Sequence, residues 1–249
     1  MMTFKRIKYA VKSALLRLYS RHICPPPTDA KKIPVIINNF NRLTTLKRLI
    51  ASLTSRGIDN IIILDNASTY PPLLEWYKEC GHTVIHLEGN LGFKALWKSR
   101  LTKNLYRKGW YIYTDSDVEL AKDCPDDIIE RMLHVMTVER PSALKTGPSL
   151  LINDLPDCFA NKTDVIAHEQ KFWEHREGDL FRAPIDTTFA LYRPMSGLNR
   201  SRAAESYRLA PPYALRHLPW YADSANPSEE EVFYRQACTQ PTMWTSAAK

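Results

Sequence analysis

Residues 110–120 have the sequence WYIYTDSDVEL, which joins an apolar segment directly to a pair of carboxylates. The aromatic and β-branched residues at 111–113 predict a buried β-strand. This strand is followed at once by Asp115 and Asp117, two acidic residues separated by one position. Carboxylates with this spacing at the end of a strand can converge on one divalent cation, because Mg²⁺ and Mn²⁺ take oxygen ligands and often share them with substrate phosphates. A D-x-D sequence also arises by chance as a solvated acidic turn, so the surrounding sequence has to decide between the two interpretations.

The preceding sequence alternates regularly between predicted strands and helices. The predicted strands are continuous apolar runs, and the predicted helices carry apolar residues at helical spacing. We expect strands at residues 33–38, 60–64, 83–87 and 110–114, and helices at residues 43–56, 71–80 and 92–106. This order predicts an α/β fold with a mostly parallel sheet and helices on both faces.

Residues beyond 120 give a less regular pattern, which predicts an irregular C-terminal half. Helices are expected at residues 125–138, 162–177 and 228–236, a strand at 144–151, and a long strand or hairpin arm at 180–192.

Polar residues cluster where the predicted strands end. The clusters are Asn38/Asn39/Asn41, Asp65/Asn66/Ser68, Asn90 and Asp115/Asp117. Because ligands of parallel α/β sheets bind at the carboxyl ends of the strands, this coincidence favours a functional D-x-D. Neither G-x-G-x-x-G nor G-x-x-x-x-G-K-[ST] is present, which disfavours a dinucleotide Rossmann site and a P-loop.

The net charge of +7 comes from the start of the chain. Residues 1–32 hold eight lysines and arginines against one acid, Asp29, so the remaining residues are formally neutral. A basic protein often binds nucleic acid, but a charge confined to an appendage weakens that interpretation for the globular body. We therefore expect no nucleic-acid partner, with binding through the basic arm as the alternative.

Residues 1–22 also have an amphipathic pattern. Five apolar residues recur at helical spacing and share one face: Phe4, Ile7, Val11, Leu15 and Leu18. No apolar run approaches the roughly 20 residues that span a bilayer, and Arg17 interrupts the only candidate signal-peptide core. We expect a basic helix that makes peripheral contact with an anionic membrane. An ordinary helix packed on the domain is the alternative.

The five cysteines are scattered and odd in number, with no C-x-x-C pair. This usage indicates reduced thiols rather than disulfides or a zinc site. It therefore predicts a cytoplasmic protein, and the basic helix adds the expectation of peripheral membrane contact.

Four segments together resemble the family 2 glycosyltransferases, which have the GT-A fold. In the family's order and spacing, they are IINNFNRL at 36–43, IIILDNAST at 61–69, GNLGFKAL at 89–96 and YIYTDSDVEL at 111–120. Later matches are sparse, namely DTTFALY and RHLPWY. The resemblance implies a basic segment and linker at 1–30, a GT-A domain at 31–240 and a tail at 241–249. Within the domain, residues 31–120 would bind a nucleotide sugar and residues 121–240 the acceptor.

The resemblance also implies roles for residues that contact the nucleotide sugar. The loop at 38–42 would lie against the base and ribose, and Asp65 would accept hydrogen bonds from the base or ribose. Asn90 and Gly92 would line the donor pocket. The full set of expected donor-binding residues is Asn38, Asn41, Arg42, Asp65, Asn90, Gly92, Asp115 and Ser116. The sequence departs from the family at Trp97, where many members have Asn.

A metal site follows from the same resemblance. Asp117, the last residue of the D-x-D, would be the main ligand of Mn²⁺ or Mg²⁺, and Asp115 would lie near the ribose or a metal-bound water. Because GT-A enzymes often recruit a C-terminal histidine, His217 is the expected late ligand. A core or surface histidine is the alternative.

The implied reaction transfers a sugar to a hydroxyl with inversion, which needs a general base. Asp186 is the first candidate, because a carboxylate within an otherwise apolar predicted strand is costly unless it has a function. Glu174, beside Trp173, is the second. A structural Asp186 bonded to a neighbouring threonine and a solvated Glu174 are the alternatives.

The expected function is therefore metal-dependent transfer from a nucleotide diphosphate sugar, with UDP as the default. The acceptor would be a saccharide or a lipid-linked saccharide in surface polysaccharide synthesis. A nucleotidyltransferase is an alternative, although NNFNRL lacks the glycines usual after its first strand. A non-catalytic carbohydrate- or partner-binding relative is another, although the retained carboxylates count against it.

Overall fold

The computed structural model describes residues 4–197 and 206–238, with side chains from residue 10 onward. The proposed tail at 241–249 lies outside the described residues. The α-helices are α1 (Phe4–Leu18), α2 (Thr44–Thr54), α3 (Pro71–Tyr77), α4 (Ala95–Lys98), α5 (Lys103–Arg107), α6 (Ile128–His134), α7 (Lys162–Glu169) and α8 (Glu229–Ala237). The strands are β1 (Val35–Asn39), β2 (Ile61–Asp65), β3 (Thr83–His86), β4 (Tyr111–Asp115), β5 (Val118–Leu120), β6 (Lys145–Leu150), β7 (Arg176–Glu177), β8 (Leu180–Arg182), β9 (Ala190–Tyr192) and β10 (Ser206–His217).

All the described strands belong to one sheet, in the order β3-β2-β1-β4-β9-β6-β10-β8-β7, with β5 paired beside β10. The first four strands in this order are parallel to one another. Their register sets Asn38 opposite Asp115 and Asn39 opposite Asp65, so the polar residues at the strand ends meet at one edge. The predicted α/β fold class is confirmed.

Helices cover both faces of this parallel region, because its residues are apolar on both sides. On one face Ile37 packs in a core with Leu46 and Leu49 of α2. On the other face Ile36 packs in a second core with Leu96 of α4 and with Tyr113. This arrangement explains why the strands are continuous apolar runs.

The C-terminal half continues the same sheet through mainly antiparallel pairs, in which β9 joins β4 to β6 and β10 pairs with β5 and β8. The prediction missed the twelve-residue β10, since two adjacent prolines interrupt its apolar pattern. The segment at 180–192, predicted as a long strand or hairpin arm, is not one continuous strand: β8 forms a short hairpin with β7, and β9 is a separate strand. The chain leaves the sheet between β8 and β9, where the buried Lys145 and Arg208 donate hydrogen bonds to the carbonyls of Ile185 and Pro184.

The predicted helix at 92–106 is also wrong as a continuous element. A short 3-10 turn and α4 are separated from α5, because Ser99 adopts an extended conformation. The Ser99 hydroxyl accepts a hydrogen bond from the Leu101 N–H, and the Thr102 hydroxyl donates to the carbonyl of Leu96. Such bonds between hydroxyls and the nearby backbone compete with the helical pattern.

The predicted N-terminal helix is confirmed as α1, which runs on into a turn of π-helix at Tyr19–Ile23. Within the described ranges, no helix combines the length and the apolar character that crossing a bilayer requires.

Candidate active site

A cavity of about 800 Å³ opens at the carboxyl ends of β1, β2 and β4. One wall is formed by the polar residues that follow these strands. The opposite wall comes from α7, the segment between β8 and β9, and the end of β10. Residues distant in the sequence therefore line one space at the edge of the sheet where the sequence predicted binding.

Asp115 is held in place from two sides. The hydroxyl of Thr187 donates to its Oδ2, and the N–H of Asp115 donates to the Thr187 carbonyl at 3.0 Å. Asn38 donates from Nδ2 to Oδ1 at 3.5 Å. Burial, followed by the charge of Asp117, raises the pKa of the Asp115 carboxyl well above its ordinary value. A cation beside the two carboxylates would relieve both effects.

His217 lies next to Asp117, as expected for the proposed late ligand. Its Nε2 is 3.6 Å from Oδ2 of Asp117. The Nδ1 of His217 and the Oδ1 of Asp117 are buried and have no hydrogen-bond partner in the described part of the chain. Burial lowers the pKa of His217 despite the attraction of Asp117, which favours the neutral imidazole that metal ions bind.

Arg42 reaches the cavity from the loop after β1 and is held by α8. Its Nη1 contacts the carboxylate of Glu231, and its guanidinium lies 3.7 Å from the ring centroid of Tyr234. Its Nε is buried and has no hydrogen-bond partner within the described residues. A buried cation with an unused donor, on the same cavity as Asp117, is suited to an anionic ligand.

Two expected donor-binding residues, Asn41 and Asp65, do not line the cavity. Asn41 adopts a φ of 52°, and its Oδ1 accepts hydrogen bonds from the N–H groups of Thr69 and Tyr70. Asp65 contacts Nδ1 of His86 at 3.0 Å. Both side chains are bonded to neighbouring segments, Asn41 to the backbone at Thr69 and Tyr70 and Asp65 to His86 of β3, and their contact with the nucleotide stays a prediction.

The other expected donor residues line the cavity, namely Asn38, Arg42, Asn90, Gly92, Asp115 and Ser116. Asn66 joins them and was not among the predicted site residues. Its Oδ1 accepts a hydrogen bond from Leu91 N–H at 2.8 Å, and its Nδ2 donates to the Gly92 carbonyl at 3.2 Å. Asn66 therefore connects the end of β2 to the loop that carries Asn90 and Gly92.

The two candidate bases differ in their position relative to the cavity. Asp186 lines the cavity but is exposed in the segment between β8 and β9, so the premise that it lies within an apolar strand is wrong. Glu174 is exposed just after a 3-10 turn and is not among the cavity residues. Its position outside the cavity favours Asp186 over Glu174 as the base, and the role of Glu174 stays a prediction.

A buried ion pair in the cavity wall was missed. Glu169 and Arg208 are 5% and 4% exposed, and Arg208 Nη1 lies 2.7 Å from Glu169 Oε2. Arg208 also donates from Nε to the Pro184 carbonyl at 3.0 Å, two residues before Asp186. Little in the sequence indicates this pair, because Glu169 belongs to a charged helix and Arg208 to β10, which was not predicted.

Helix α8 also supports the loop after β1 through a second glutamate. Glu230 is buried, and its Oε2 accepts hydrogen bonds from the N–H groups of Leu43 and Thr44 at 2.9 and 2.8 Å. These groups lie at the start of α2, where N–H groups lack partners within the helix. A carboxylate from α8 thus caps α2 and fixes the position of Arg42 beside it.

Replacing Glu230 with alanine is expected to lower the free energy of unfolding by about 1–2 kcal/mol, as for the loss of a helix cap. The matched control is Glu229→Ala, which removes the same charge from an exposed position in the same turn of α8. Its effect should stay within about 0.5 kcal/mol. Urea unfolding of the two variants measures the difference, and equal effects would contradict the capping role.

The residues around Asp117 fit a divalent cation. Asp117 lies beside His217 and near the carboxylate of Asp115, and a buried oxygen of Asp117 and a buried nitrogen of His217 lack partners in the described residues. In the described ranges, no group of three or more His, Cys, Asp or Glu side chains is close enough together to hold a metal ion, so these residues are an incomplete ligand set. An open set of this kind suits Mg²⁺ or Mn²⁺, which often complete their coordination with substrate phosphates.

Comparison with known proteins identifies the region that carries these residues. Residues 35–141 match the family model described as glycosyl transferase family 2. These residues form a family 2 glycosyltransferase domain. The chain is a glycosyltransferase that uses a nucleotide-sugar donor. Among curated proteins, no sequence matches this chain.

Among solved structures, the glycosyltransferase is similar to the mannosyltransferase PcManGT from Pyrobaculum calidifontis, in complex with GDP-Man and Mn²⁺. The identity is 10%, the TM-score is 0.47, and the match covers 91% of this chain and 67% of that chain. The family match includes Asp115 and Asp117 but ends before β6. Asp186 and His217 of the glycosyltransferase are therefore known from their position on the cavity rather than from the family match.

Proposed function

We propose that this glycosyltransferase transfers a sugar from a nucleotide diphosphate, by default UDP, to a hydroxyl of a saccharide or lipid-linked saccharide with inversion at the anomeric carbon. One observation carries the proposal. Asp115, Asp117 and His217 share a cavity with Asp186, an exposed carboxylate from a distant part of the chain. Direct displacement of a nucleoside diphosphate from a sugar needs two components: a group that stabilises the charge on the diphosphate, and a base for the acceptor hydroxyl.

The donor is proposed to lie along the wall formed by β1, β2 and β4. Asn38 and Arg42 would face the nucleotide, and the backbone around Asn90 and Gly92 would border it. Arg42 is suited to a diphosphate, because its buried Nε has no partner among the described residues and its charge is held near Asp117. Asn41 and Asp65 would also hold the loops that form this wall.

Asp115, Asp117 and His217 are the residues that would hold Mn²⁺ or Mg²⁺. When bound, such a cation neutralises the charge that develops on the leaving diphosphate. The interaction of Asp115 with Thr187 would keep that carboxylate oriented within the site.

Asp186 is proposed to accept the proton of the acceptor hydroxyl. The acceptor oxygen forms a bond to the anomeric carbon while the bond from that carbon to the diphosphate breaks. The hydroxyl proton passes to the Asp186 carboxylate, and the electron pair of the broken bond leaves with the diphosphate. The hydrogen bonds from Lys145 and Arg208 to the carbonyls of Ile185 and Pro184 would fix the segment that carries this base.

The acceptor is proposed to be a lipid-linked saccharide used in surface polysaccharide synthesis at the inner face of the cell membrane. The supporting observation is the basic amphipathic segment at residues 1–22, which would allow peripheral membrane contact.

Binding of the nucleotide-sugar donor can be tested without knowledge of the acceptor. We expect one class of nucleoside diphosphate or nucleotide sugar to raise the thermal stability of the chain only when Mn²⁺ or Mg²⁺ is present. A ligand at 100 times its dissociation constant stabilises the native state by about 2.7 kcal/mol. A panel of nucleotides with and without each metal gives the measurement, with metal alone and nucleotide with EDTA as controls. No stabilisation by any nucleotide at millimolar concentration would contradict the proposed donor site.

A further inference from the structure

The described part of the apolar face of α1, from residue 10 onward, points away from the protein. Val11, Leu15 and Leu18 are 54%, 61% and 57% exposed. The buried positions of the same segment are Ser13, Leu16 and Ser20. An amphipathic helix that merely packs on a domain buries its apolar stripe, and α1 does the opposite.

Specific contacts hold this segment in its orientation. Arg193 is buried and donates to the Ser20 hydroxyl at 2.8 Å, while its remaining donors bond to the backbone carbonyls of Met136, Pro141 and Ala143. Trp110 donates from Nε1 to the Cys24 carbonyl at 3.1 Å. The segment after α1 is therefore anchored on the domain, which fixes the side of α1 that faces outward.

A second basic segment adjoins the residues that anchor α1 on the domain, namely Ser20 and Cys24. Residues 98–108 contain five lysines and arginines and no acid, and all five basic side chains are exposed. Leu101 in the same segment is 64% exposed. The Cys24 thiol donates to the Lys108 carbonyl at 3.2 Å, so the two basic segments meet at this point.

We propose that α1 and residues 98–108 form one docking surface for an anionic phospholipid bilayer. The inference deepens the proposed function and rests on its assignment of a lipid-linked acceptor. Exposed apolar side chains flanked by basic ones match the interface of an anionic bilayer, where the apolar groups enter the acyl boundary and the cations meet the headgroups. A nucleic acid would use the basic residues alone and would leave Val11, Leu15 and Leu18 in water.

The docking surface also adjoins the cavity. Lys98 lines the cavity wall and donates from Nζ to the carbonyl of Leu91, next to Gly92. The basic segment that begins at Lys98 thus runs from the cavity to the anchor of α1. A bilayer on this surface would lie beside the cavity, where a lipid-linked acceptor could enter without leaving the membrane.

Vesicle co-sedimentation of the full chain tests the proposal. The vesicles are phosphatidylcholine alone and phosphatidylcholine mixed with phosphatidylglycerol. We expect binding only to the mixed vesicles, weakened at least about tenfold by Leu15→Glu/Leu18→Glu and by Lys103→Glu/Arg107→Glu. The matched controls are Leu74→Glu/Val232→Glu, at exposed apolar positions elsewhere, and Lys47→Glu/Lys122→Glu, at exposed lysines elsewhere.

Three results would overturn the proposal: no binding to the anionic vesicles, equal weakening by the variants and their controls, or loss of binding with the basic substitutions but not with the leucine substitutions. The last result together with tight binding of a DNA oligonucleotide would assign the surface to nucleic acid. Nucleotide-induced stabilisation, measured on the same preparations, distinguishes failure of the proposed donor site from failure of the docking surface.

Discussion

Replacing Asp117 with asparagine is expected to reduce sugar transfer by about 10³-fold or more and to abolish metal-dependent stabilisation by the nucleotide. A divalent cation supplies several kcal/mol of charge stabilisation to a leaving diphosphate. Asp117 has a buried oxygen that lacks a partner among the described residues and lies beside His217, whose pKa is lowered by burial, so its charge is the one best placed to hold that cation. The asparagine keeps the shape of the side chain and removes only the charge.

The matched control for this variant is Glu119→Gln. Glu119 lies two residues further along the chain, in β5, and pairs with Arg48 outside the cavity. Its replacement removes one negative charge from the same segment and should leave transfer within about twofold, since a surface ion pair contributes about 0–1 kcal/mol. Transfer rates and thermal shifts with Mn²⁺ give the comparison. Retention of metal-dependent nucleotide binding by Asp117→Asn would remove Asp117 from the metal site.

Asp186→Asn is expected to lower turnover by about 10²–10⁴-fold, the usual contribution of a general base, while nucleotide binding stays as in the wild type. The carboxylate is needed to accept the hydroxyl proton, whereas the proposed donor contacts come from β1, β2 and β4 and the loops after them. A fall in kcat with unchanged metal-dependent stabilisation by the nucleotide distinguishes loss of the base from loss of the donor site.

Glu174→Gln is the control for Asp186, because it is the other candidate base and lies in the open, away from the cavity. We expect transfer by this variant to remain close to that of the wild type. If Glu174→Gln lost activity and Asp186→Asn kept it, the roles assigned here would be reversed. Wild-type turnover in Asp186→Asn alone would direct attention to Glu169, the other carboxylate on that wall.

The parallel half of the fold was predictable because its signals are local. Each of β1, β2 and β4 is a largely buried apolar run, and the polar residues that end it follow directly in the sequence. The rule that ligands bind at the carboxyl ends of parallel strands then brought Asn38 and Asp115 together, and the register of β1 with β4 confirms this.

The remaining wall of the site was less predictable because it depends on distant contacts. Whether Asp186 lies within a strand is decided by Lys145 and Arg208, which are 41 residues before it and 22 after it by residue number. Similarly, Asn41 has the residue type expected to bind the nucleotide sugar, but its side-chain oxygen accepts a hydrogen bond from the backbone N–H of Thr69. Contacts between residues this far apart in the chain cannot be predicted from composition and residue spacing.

The capping of α2 by Glu230 has a consequence for the order in which the chain matures during synthesis. Domains made on the ribosome begin to fold from the N-terminus, and β1 to β4 can pair before the last residues exist. The loop that carries Arg42 is different, since its partners Glu230, Glu231 and Tyr234 are 187 to 192 residues later in the chain. The wall proposed to face the nucleotide therefore acquires its final contacts only when α8 has been made, so a nascent chain that stops short of α8 carries the D-x-D residues without the supports of Arg42.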